Sequence, residues 1–144
     1  MIMSRFSSLI LTVFLFACAH SQAQEVVQLK LRKSNKIVVK LMFRNGSMSD
    51  PAGKEGLTYA TASLMTQGGA GEKSYSEIQD ALYPWAATYG ASVDKQVSVF
   101  TFQVPVDFAE PFYPILRDVI LRPAFDENDF KRIKTSQQNH VDQV

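Results

Sequence analysis

One cysteine, Cys18, and two histidines, His20 and His140, are all that this 144-residue chain offers of two residue types that commonly hold metals or act as nucleophiles. Cys18 and His20 fall in a stretch that reads as a leader, so the remainder carries one histidine and no cysteine. No disulfide framework is compatible with that count. An all-protein zinc site draws three or four ligands from His, Cys, Asp and Glu, and is disfavoured before any motif is considered. An excess of charge is also missing: 15 Lys and Arg stand against 14 Asp and Glu. The basic footprint of a nucleic-acid partner is therefore absent. No polybasic cluster, internal repeat, low-complexity segment or Gly-x-Ser-x-Gly nucleophile elbow is present.

What is there begins with a three-part leader pattern. Arg5 is followed by an apolar run over residues 8–17 and then by small residues. This predicts a secretory signal peptide over residues 1–23, cut after Ser21-Gln22-Ala23. The run is too short for a membrane span, which needs roughly 20 apolar residues. A cut after Ala19, or lipidation of Cys18 within Leu15-Phe16-Ala17-Cys18, are the alternatives. Loss of the leader removes Arg5 as its only charge and leaves 14 basic and 14 acidic residues. The mature domain is expected over residues 24–144, secreted or periplasmic, with no transmembrane segment.

Residues 26–32 (VVQLKLR) alternate apolar and polar and predict a half-buried strand. Residues 36–43 (KIVVKLMF) predict another, rich in β-branched side chains. Asn45-Gly46-Ser47 marks a turn, and a polar loop over residues 49–56 leads to a helix expected from about Glu55 to Thr66. Gly68, Gly69 and Gly71 end it; they neither follow a strand nor open Gly-Lys-Ser/Thr, so they read as a helix stop rather than a phosphate loop. Ser74 and Glu77 have capping-box spacing ahead of Ile78, Ala81, Leu82 and Trp85, and Pro84 should end or kink that helix. Ala91 to Val93 reads as the start of a strand, and residues 97–106 (VSVFTFQVPV) read as a clear one.

Asp107 and Glu110 repeat the capping-box spacing before the stripe Phe112, Ile115, Leu116, Val119 and Ile120. Pro114 inside that stripe costs about 3 kcal/mol in a helix interior and argues for a later start. Arg122-Pro123 stops the helix. The last one begins at Asp126, with Phe125 and Phe130 at staple spacing and acidic residues at the positive end of its dipole. It runs to Val144 with no stop signal, which reads as a domain cut short. Paired strands followed by paired helices predict an α+β fold, a mainly antiparallel sheet with helices packed on one face.

Three phrases together resemble the insulinase-like (M16) peptidases, which include pitrilysin and the mitochondrial processing peptidases. Phe43 to Ser47 followed by Asp50 to Leu57 is similar to the family's F-x-x-G-S-x-x-D-P-x-G-K-x-G-L. The Ser74 helix is similar to the family's next helix, and Leu121 to Phe130 resembles L-x-P-x-F-x-E-x-x-F. In active members the Gly-Leu phrase leads into His-x-x-Glu-His, two zinc ligands one turn apart with the base that activates the metal-bound water between them. The resemblance sets the first His on Tyr59, the Glu on Ala62, the second His on Ser63, and a distant Glu ligand on about Asn139. None of the four matches. The helix is a metal helix by resemblance and a packing helix by chemistry.

The resemblance thus implies a degenerate, non-catalytic branch: no zinc, no catalytic residue, and an accessory role beside an active M16 subunit or an extended peptide. The alternatives are a truncated fragment without function and a metallopeptidase with unusual ligands. Lone His140 is expected to be neither ligand nor base. Tyr83, Trp85 and Tyr89 are expected to pack in the core rather than form a peptide platform.

Overall fold

The computed structural model describes residues 25–30 and 33–141. Residues 25–30 form no regular structure, and Val26, Val27 and Leu29 lie largely exposed. The strand expected over residues 26–32 is therefore corrected: residues 25–30 have no ladder partner, and alternation without a ladder cannot hold a strand. The expected leader lies outside the described residues.

From residue 33 onward the chain forms one compact unit. Its regular elements are β1 (Lys36–Phe43), α1 (Leu57–Gln67), α2 (Tyr75–Leu82), β2 (Thr88–Val93), β3 (Ser98–Pro105), α3 (Ala109–Leu121) and α4 (Glu127–Val141). Short 3-10 turns sit at Ser47–Ser49, Tyr83–Trp85 and Val106–Phe108. The three strands form an antiparallel sheet in the order β1-β3-β2. The architecture is α+β, as the pairing of elements predicts.

The central strand shows the period of two most clearly. Ser98, Phe100, Phe102 and Val104 are buried, and the residues between them are half-buried. Phe102 sits in the middle of the core, stacked on Tyr89 (5.9 Å between centroids) and edge-on to Phe112 (6.4 Å). Ile78 and Leu82 from α2 and Val119 from α3 complete the fully buried set. Burying each such side chain contributes about 1.5–3 kcal/mol. Pro84 ends α2 through the Tyr83–Trp85 turn, as expected.

Two expected helix starts fared differently. At α2 both arms of the capping box form: the Ser74 hydroxyl accepts from the Glu77 N–H (3.4 Å), and the Glu77 carboxylate accepts from the Ser74 N–H (2.8 Å). At α3 the box on Asp107 does not form. Asp107 lies inside the 3-10 turn, and the N-cap is Phe108, without a side-chain cap. Three residues on stands Pro111, which has no N–H for a cap to accept. The helix also starts before Pro114 rather than after it and keeps that proline inside. Pro114 and Glu110, whose carbonyl loses its helical partner, are both exposed, so water can serve the carbonyl.

Candidate functional site

The start of α1 is built by the loop before it. Gly46 follows the end of β1 and lies against the β2–β3 hairpin: a Cβ there would overlap the Asp94 carbonyl and the Lys95 backbone. The Ser47 N–H donates to the Asp94 carbonyl (2.9 Å), and the Met48 N–H to that of Lys95 (2.9 Å). Four residues past Gly46, Asp50 turns its carboxylate onto the helix entrance. It accepts from the N–H groups of Gly56 (2.7 Å) and Thr58 (2.8 Å) and from the Thr58 hydroxyl (2.5 Å).

Gly56, the N-cap, has no side chain to do this and adopts φ +89, where an L-residue is strained. Asp50 supplies the missing cap from outside the helix. Its pKa lies below the ordinary aspartate value, chiefly because of the Thr58 hydroxyl. Partial desolvation opposes this, and the N–H groups of Thr58, Gly56 and Leu57 reinforce it. The sequence treats Asp50 only as part of a polar loop; its role is legible once its eight-residue reach to Thr58 is seen.

Beyond that entrance the helix turns apolar. Tyr59 is 47% exposed, whereas Ala62 and Ser63 are 4% and 6% exposed, and Ala62 belongs to the core cluster. The helix packs on β2 and on α4. Contact with α4 runs through three of its side chains. Asp129 accepts from the Gly69 N–H (3.1 Å), the Arg132 guanidinium donates to the Gln67 carbonyl, and the Gln137 amide donates to the Gly56 carbonyl (3.3 Å). Asn139 is exposed. It lies two residues past Gln137, more than half a helical turn around the axis from it. The fold thus brings α1 and α4 together, and Gln137, which sequence reasoning missed, is the side chain that reaches the start of α1.

A groove of about 580 Å³ opens away from these positions, between the Gly69–Ser76 segment and the start of α4. Its lining includes Lys73, Tyr75, Asp126, Asp129 and Arg132, but neither Tyr59 nor Ser63. The Arg132 guanidinium sits 5.6 Å above the Tyr75 ring. The Tyr89 hydroxyl is enclosed without a hydrogen-bond partner among the described residues, and burial pushes its pKa up to about 12, with the Tyr75 phenol adding to the rise. Gln79 pulls the other way without reaching hydrogen-bonding geometry.

The family profile described as insulinase (peptidase family M16) matches residues 12–144. The chain belongs to that family. Its fold is shared with an inactive M16 domain from Pseudomonas fluorescens at 22% identity and a TM-score of 0.69, covering 75% of this chain and 26% of that one. The periplasmic protease PqqL from Escherichia coli is similar at 17% identity (TM-score 0.63), and pitrilysin at 20% (TM-score 0.65). In each case 76% of this chain is covered, but only 12% of the larger protein. The chain thus spans about a quarter or less of these relatives. No curated protein matches it.

The positions that resemble the M16 metal site do not fit zinc. A phenol, a methyl group, a neutral hydroxyl and a neutral amide offer no carboxylate or imidazole between them. Among the described residues, no three His, Cys, Asp or Glu side chains gather into a metal-holding group. No described helix is long and apolar enough to cross a membrane.

Proposed function

We propose that the chain is a non-catalytic M16 relative, exported behind a leader over residues 1–23, that works as the accessory half of an active zinc peptidase. The observation that carries this reading is the burial of Ala62 and Ser63. Where the resemblance sets a general base and a zinc ligand, the chain buries two small side chains, and Ala62 lies in the core cluster. Exposed apolar side chains on several elements, among them Met48 (71%), Tyr113 (62%) and Leu121 (71%), favour association with another polypeptide. An extended peptide would add to β2, an outer strand of the described sheet that packs beside α1, with the half-exposed Tyr59 of α1 as its candidate contact.

The test is capture of the tagged chain from its own cells, with mass spectrometry of what accompanies it and elemental analysis for zinc. A stoichiometric companion bearing His-x-x-Glu-His, with zinc in the companion alone, is the expected result. Recovery of the chain alone, or with chaperones only, removes the accessory role. One equivalent of zinc in the isolated chain returns it to the metallopeptidases.

A further inference from the structure

The residues that cap α1, Gly56 and Gly68, have no side chains to hold its ends. Asp50 serves the first N–H groups, and α4 reaches both ends of the helix. At the far end the Arg132 guanidinium donates to the Gln67 carbonyl, one of the last four that a helix leaves unpaired. Beside it, the Asp129 carboxylate accepts from the Gly69 N–H (3.1 Å) and from Arg132 itself (2.9 Å). At the near end the Gln137 amide donates to the Gly56 carbonyl (3.3 Å). The two glycines leave room for these contacts. A Cβ on Gly56 would come within 2.7 Å of the Gln137 side-chain nitrogen, and one on Gly68 within 3.3 Å of the Asp129 carboxylate.

Among the described side chains of α4, only Asp129, Ile133 and Gln137 are not exposed, and Ile133 is buried at 3%. They recur every four residues and so share one face of the helix. One apolar side chain holds a helix down without fixing its rotation or its slide, because burial has no direction. Hydrogen bonds do have direction, and here they act at both ends of α1. None of them uses Tyr59, Ser63 or Asn139. Asn139, where the resemblance sets the distant ligand, is exposed and lies off the stripe.

We propose that Asp129, Arg132 and Gln137 form a clasp that fixes α4 on α1 as one unit and holds the seam without a metal ion. Where the resemblance would join the two helices through a shared ion, this chain joins them through its own side chains and the main chain of α1. The bonds run directly between the two helices, so they hold whatever else packs around them. They hold equally whether or not a companion subunit exists.

The experiment follows amide hydrogen exchange in the full-length protein, parent and variants, in the presence of zinc and of a chelator. In the parent, exchange over residues 131–137 should be the same in both. Arg132→Met keeps the stem and removes the donors, and Gln137→Glu keeps the size and removes the donor. Arg132→Met should speed exchange along the whole of residues 131–137 by about tenfold, and Gln137→Glu by about fivefold. The two pins sit at opposite ends of α1, so the double variant should show the product, about fiftyfold. Exchange in β3 should not change, which shows that the sheet stays folded. Loss of α4 protection in chelator overturns the proposal. So do acceleration confined to the turn next to each substitution, equal acceleration in β3, and unchanged exchange in both single variants.

Discussion

Residues 46–58 and residues 59–63 adjoin, yet they use their side chains in opposite ways. In the first stretch nearly every feature that resembles the family serves the backbone. Gly46 admits the hairpin, Asp50 caps α1, and Gly53 and Gly56 take positive φ. In the second stretch, the positions that the resemblance sets on the metal motif hold a phenol, a methyl group and a hydroxyl, and two of the three are buried. A scaffold and the chemistry mounted on it are separable. On the proposed reading, the approach delivers α1 to where a reactive helix would sit, and Ala62 and Ser63 are buried where the resemblance sets the base and the second ligand.

The sharpest way to break that contrast is Ala62→Glu. If the face of α1 were still a site, a carboxylate there would find room and water. With Ala62 4% exposed, the variant buries an unpaired charge. A stability loss of about 3–5 kcal/mol is expected, read as a shift in the urea midpoint at unchanged slope. A variant as stable as the parent would mean that this face of α1 has room for a hydrated carboxylate and that the packing reading of α1 is wrong.

Asp50→Ala tests the other half, with a smaller effect. It should lower the melting temperature at neutral pH by several degrees, through loss of the cap on the Gly56 and Thr58 N–H groups. The sign of its pH dependence follows from the depressed pKa of the carboxylate. The cap's contribution is fully present above the ordinary aspartate value of 3.8 and is lost as pH falls through the lower folded value. Parent and variant should therefore differ at about pH 6 and converge in acid below pH 3.8. A gap that widens on acidification would show that another group governs this region.

How much of this was legible before the fold is clearest at particular residues. The β3 alternation, the Ser74 box and the stop at Pro84 rest on local patterns, and each formed where expected. Residues 26–30 failed because a strand is defined by its neighbour, and alternation alone does not provide one. The Asp107 box failed because the turn shifts the cap by one residue and sets Pro111 where an N–H was needed. At the candidate site, residue identity says only that Tyr59, Ala62 and Ser63 are neither His nor Glu; the burial of Ala62 was not legible. Asp50 and Gln137 act across eight and 81 residues, respectively, and no short window contains both ends of those contacts.

The smallest expected effect falls on Tyr59, the exposed one of the three α1 positions that the resemblance sets on the family's motif. Its side chain is half exposed, so Tyr59→Ala should change stability by no more than about 0.5 kcal/mol in a urea melt. Against that quiet background, capture of an extended peptide beside α1 should weaken measurably, because a rigid aromatic ring supplies contact area at low entropic cost. The two readouts separate packing from contact. A large stability loss would make Tyr59 another core residue and extend the closed face of α1 to the helix start. Unchanged stability with unchanged peptide capture would place the peptide elsewhere and leave α1 with a structural role alone.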